Sequence, residues 1–71
     1  MRNEKRTTYN LRFLDNKDWY RGYRSVKRAN AEAMARHVAD TTGRSVEVYG
    51  GEGPYRVAVS VASTETFWRL D

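Results

Sequence analysis

The segment from Trp19 to Val26, WYRGYRSV, interleaves aromatic and cationic side chains. Aromatic rings stack on nucleobases of any sequence, while a guanidinium adds charge for a phosphate and a cation–π contact for a ring. Arg12 before this segment and Lys27 and Arg28 after it extend the positive charge. The resulting expectation is a nucleic-acid interface. Arg12, Arg21, Arg24, Lys27 and Arg28 would contact phosphate, and Tyr20 or Tyr23 would stack or orient, with DNA and RNA not distinguished. The competing use of such residues is as core filler, a ring turned inward with an arginine stem across its edge.

Charge distribution supports a polyanionic partner. The 71 residues carry 13 basic and 9 acidic side chains, a net charge of +4. Residues 1–28 hold Arg2, Lys5, Arg6, Arg12, Lys17, Arg21, Arg24, Lys27 and Arg28 against Glu4, Asp15 and Asp18, a balance of +6. Residues 29–71 balance at −2. Such asymmetry favours a polyanion, although it also serves solubility. A second functional class, a protein-interaction or inhibitor module, rests on Trp19, Tyr49, Phe67 and Trp68, since aromatic residues are enriched at protein contacts. An open strand edge could then pair with a partner strand or with a second copy of the chain, giving a homodimer.

Catalytic chemistry finds little support. His37 is the sole histidine and there is no cysteine, so no zinc-ligand spacing and no disulfide framework arise. The serines lack a nucleophile-elbow motif, and the scattered carboxylates form no paired set at a readable spacing. Asp15 and Asp18 lie in a polar turn without the oxygen-ligand series of a calcium loop. The glycines of GGEGP, residues 50–54, stand between strands and lack the lysine and hydroxyl residue of a phosphate-binding loop. The expectation is a small non-enzymatic protein with no cofactor, no metal and no small-molecule substrate. No apolar run approaches the roughly 20 residues of a membrane span, and residues 1–14 lack a signal-peptide centre. A cytoplasmic, free-standing protein with no membrane partner is expected.

The elements around these residues are read from periodicity. Ala31, Met34, Ala35 and Val38 fall on one helical face, while Glu32, Arg36 and Asp40 fall on another, where Glu32 would support Arg36. The helix is expected to start between Lys27 and Asn30 and to end at Gly43. Tyr9, Leu11 and Phe13 alternate onto one face of a strand over residues 7–14. Residues 19–26 form a second expected strand, with both faces mixed. Residues 44–62 form a hairpin joined through 50–54, and its second strand turns Val57, Val59 and Val61 inward. The opposite positions Ala58, Ser60 and Ala62 are light, with room for Phe67, Trp68 and Leu70 of the tail to dock. The fold class is α+β, a small two-layer structure of one helix on a mostly antiparallel sheet in ββαββ order. Residues 1–6 would be a flexible basic N-terminus and 7–71 a single α+β domain.

Overall fold

The computed structural model describes residues 7–51 and 53–71, so the basic arm expected over residues 1–6 lies outside the described residues. The elements are β1 (Thr8–Phe13), α1 (Arg28–Thr42), β2 (Val46–Gly51), a 3-10 turn (Gly53–Tyr55), β3 (Val57–Ala62) and β4 (Phe67–Arg69). The strands form one sheet in the order β1-β2-β3-β4, every neighbouring pair antiparallel, and α1 packs on one face. The α+β class holds. The order is β-α-β-β-β instead of ββαββ, because the tail supplies the fourth strand and residues 19–26 do not form one.

Cross-strand pairing fixes the face of each residue. Leu11 pairs with Val48 and Phe13 with Val46, and these four residues meet Ala31, Ala35, Val38 and Ala39 of α1 in the buried core. Alanines let the helix lie close to the sheet, and Gly50 does the same across the strands. A methyl group built on Gly50 would stand 2.5 Å from the Tyr9 ring. The helix ends at Gly43 (φ 73°), whose N–H donates to the Ala39 carbonyl. At its start Lys27 occupies the N-cap position without a side-chain cap, while the Ser25 hydroxyl accepts from the Lys27 N–H at 3.0 Å.

The pairing of β3 reverses part of the expected core. Val46 pairs with Ala62 and Val48 with Ser60, but Tyr49 pairs with Ala58, so Val59 is an extra residue at a β-bulge. Ser60 and Ala62 therefore lie under the helix, both fully buried. Val61 faces the other way, opposite Glu47 and Trp68, yet is buried there as well, whereas Val57 is 56% exposed. The bulged Val59 packs against the core half-buried, as does Met34. Strict alternation along β3 failed because one inserted residue changes the phase of every position beyond it.

The small side chains of β3 are covered by an ionic network. Glu32 points into the helix–sheet interface, 6% exposed, instead of supporting Arg36 on the solvent side. Its carboxylate accepts two hydrogen bonds from Arg69 at 2.9 and 3.0 Å, one from Arg28 at 2.9 Å, and one from the Ser60 hydroxyl. Arg28 continues the network with two bonds to Asp71, both 2.8 Å, and one to the Val59 carbonyl at 2.9 Å. The tail docks through these contacts and through Phe67, over whose ring the Arg36 guanidinium lies at 4.1 Å. Trp68 and Leu70 leave about half of their area exposed, although Trp68 pairs with Val61 and the Leu70 N–H donates to the Val59 carbonyl at 2.9 Å.

Two outcomes follow from this arrangement. Val48→Asp is expected to prevent folding, because it sends an unpaired carboxylate into the apolar layer. Val57→Asp should change stability by less than about 1 kcal/mol, and urea denaturation of the two variants tests the assigned burial.

The second outcome concerns acid. Hydrogen bonds from Arg69, then those from Ser60 and Arg28, hold the Glu32 carboxyl at about 2 against an ordinary 4.5. A depressed carboxyl contributes stability that is present above its unfolded value and lost as pH falls through the folded one. The difference corresponds to roughly 3 kcal/mol. It should disappear between about pH 4.5 and 2. Asp71, also held near 2 by Arg28, adds to the same acid limb. Glu32→Gln should lower stability at neutral pH and flatten that limb, and the Glu32→Gln/Asp71→Asn pair should flatten it further. An acid limb unchanged in Glu32→Gln would contradict the network's role.

Candidate nucleic-acid interface

Residues 19–25 run back along β1 and touch it at two isolated bridges, Trp19 with Arg12 and Ser25 with Tyr9. Between them the chain bows away from the strand. The reason lies in the spacing of two tyrosines. Tyr20 and Tyr23 both pack against the core, Tyr20 edge-on to Phe13 at 6.1 Å. Positions three apart fall on opposite faces of a regular strand. The bow, with Gly22 at φ 82° near its apex, brings both rings inward.

The bow leaves a cleft of about 400 Å3 lined by Asn10, Trp19, Tyr20, Arg21, Tyr23 and Arg56, with Gly22 at its rim. Asn10 braces it. Its amide donates to the Tyr23 carbonyl at 3.2 Å, and its oxygen accepts from the Arg56 guanidinium. Two arginines and an amide thus meet three aromatic rings, and among the described residues no carboxylate lines the cleft. Arg24 and Lys27 are exposed further along the same segment.

The cleft opens beside the sheet face that α1 leaves uncovered. One row across that face reads Trp19, Arg12, Glu47, Val61 and Trp68, and the next reads Asn10, Tyr49 and Ala58. Arg12 is the hub of the first row. It contacts the Glu47 carboxylate at 3.3 Å and donates to the Tyr49 hydroxyl at 2.6 Å. Its guanidinium lies 4.6 Å from the Tyr49 ring centroid and 5.4 Å from that of Trp19. Trp19, 45% exposed, meets Tyr49 edge-to-face at 5.2 Å.

The residues singled out by sequence are therefore divided. Arg21 lines the cleft, whereas Arg24, later on the bowed segment, and Lys27, at the helix N-cap, are exposed outside its lining. Arg12 lies on the open face within an ion pair, and Arg28 is bound by Glu32 and Asp71 across the helix side. Tyr20 and Tyr23 line the cleft wall but spend much of their area on the core. Trp19 and Tyr49 form one aromatic pair of the open face, and Trp68 stands at the far end of its row. Phe67 is half-buried beneath Arg36. Asn10 and Arg56 belong to the cleft and were not foreseen, since no local pattern links positions 46 residues apart.

Among the described residues no cluster of three or more His, Cys, Asp or Glu could hold a metal ion, and His37 is exposed on α1. Among them, too, no helix is long and apolar enough to cross a membrane. Compared with protein-family models, with curated proteins and with solved structures, the chain matches none.

The cleft depends on backbone geometry at Gly22, where an added methyl group would meet nothing within 4 Å. Gly22→Ala should nonetheless cost about 1–2 kcal/mol, because an L-residue resists the left-handed region. A denaturation midpoint unchanged by Gly22→Ala would mean that the bow does not need this conformation.

Proposed function

We propose that this protein binds nucleic acid through the cleft between β1 and the bowed segment. The observation that carries the reading is the meeting of Arg21, Arg56 and the Asn10 amide with an exposed indole, in a recess whose described lining residues include no carboxylate. Guanidinium groups bind phosphate oxygens strongly, and a cleft of one sign concentrates a ligand of the other. Arg24 and Lys27 extend the positive path along the segment. Arg12 has a supporting part, since its bonds to Glu47 and Tyr49 hold the aromatic pair in place. Arg28 is a structural residue in this reading.

A second reading has its own observation. The β1 side of the sheet is flanked by residues 19–25, while β4 is the last strand on the other side, with Trp68 half exposed on it and Leu70 half exposed just beyond it. An edge unpaired among the described residues, with apolar side chains, suits a protein strand or a second copy of this chain. Its shortness, three residues, weakens that use.

Labelled DNA and RNA titrated at low and physiological salt test the first reading. Affinity should fall steeply as salt rises, because phosphate contacts release counterions. Arg21→Gln and Arg56→Gln should each weaken binding and lower the salt slope by about 1, whereas Arg28→Gln should act mainly on stability. Absence of saturable binding at both salts would overturn the proposal, and a concentration-dependent mass in sedimentation would then favour the second reading.

A further inference from the structure

We infer that the ligand of this cleft is single-stranded, with one base stacked on Trp19 and its neighbouring phosphate held by Arg21 and Arg56. The inference rests on the nucleic-acid reading above and narrows it to one class of substrate.

Three observations carry it. First, the cationic groups of the cleft line a recess instead of projecting from a ridge. About 400 Å3 accepts one nucleotide unit, not a duplex. Second, α1 is poorly suited to a duplex groove. Its exposed positions include Ala29, Asn30, Ala33, His37 and Asp40, and its exposed Arg36 already lies over the Phe67 ring. Groove readers place a helix or ribbon with several cationic and amide side chains against base edges and phosphates. Third, Trp19 is positioned as a stacking surface. Tyr49 meets it edge-to-face at 75° and so fixes its orientation, while nearly half of the residue remains open. Bases in a duplex are stacked on each other and present only edges, whereas a single strand offers their faces.

The Arg56 guanidinium lies 5.9 Å from the Trp19 ring centroid, near the outer limit of a cation–π contact. A base arriving on the indole takes that place. Arg56 then turns to the adjoining phosphate while Asn10 retains its hold. Trp68 provides an internal control. It occupies the same row, roughly 19 Å away at four strand spacings. Among the described residues it has no arginine over its ring, unlike Trp19.

The chain has two tryptophans, so Trp68→Phe leaves Trp19 as the sole indole. In that variant the emission of Trp19 is followed while short single-stranded DNA and RNA, and duplexes of the same sequence, are added. Single strands should quench Trp19 and bind at least about tenfold more tightly than duplex. Trp19→Leu should weaken single-strand binding about tenfold, within the range for one stacked base, and Trp19→Phe should weaken it less. Thermal unfolding confirms that each variant is folded; if Trp19→Leu is not, the emission measurement decides alone. Equal duplex affinity, or single-strand binding with unchanged Trp19 emission, overturns this inference and leaves phosphate binding standing. No binding by either form overturns both.

Discussion

A buried carboxylate governs the helix–sheet interface. Glu32 lies where alanines bring α1 close to β3, and a lone charge there would cost several kcal/mol. Arg69, Arg28 and Ser60 jointly satisfy it. Each partner comes from a different element, so their meeting specifies more than a bond. β4 must pair with β3 in the register that places Arg69 opposite Ser60. β3 must bulge so that Ser60 faces the helix. Arg28 must stand one turn before Glu32 and reach the last residues of the chain. Apolar packing alone would tolerate several registers of so short a strand.

That requirement explains which parts of the fold were legible. The faces of β1, the apolar stripe of α1 and the hairpin around residues 50–54 follow from regular periods, and the structure keeps them. β3 was misread because three valines at alternate positions outweighed a serine and two alanines. Beyond the bulge Ser60 and Ala62 lie beneath the helix, since a closely packed helix needs small residues there and Glu32 needs a hydroxyl. No rule of periodicity signals a bulge within the run VAVSVA. The mixed faces of residues 19–26 were visible, however, and they reflected a real conflict. Two inward tyrosines at an odd spacing are incompatible with a continuous strand.

The functional surface was legible by residue type and not by partnership. Sequence placed arginines and aromatics together on residues 19–26, and that segment does form one wall of a cleft. It could not distinguish Arg28, whose charge is used within the fold, from Arg21, whose side chain faces solvent. Nor could it bring Arg56 to Asn10, because their meeting depends on strand order and on the path of the chain after the turn at residues 53–55. Ionic commitments are made across the sheet, and composition counts the charges without recording them.

The order of the strands also has a consequence for how the chain finds its fold. β2, β3 and β4 form a meander whose partners are close in sequence, so their pairing requires only short loop closures. β1 joins that meander beside β2, and Leu11 meets Val48 only after the bowed segment and the whole helix have been laid down between them. Loop-closure entropy and contact order therefore concentrate in the docking of β1. The same event builds the wall on which Asn10 stands. A chain caught before this step would hold a formed meander with no cleft, so the proposed binding surface completes only with the last long-range closure of the sheet.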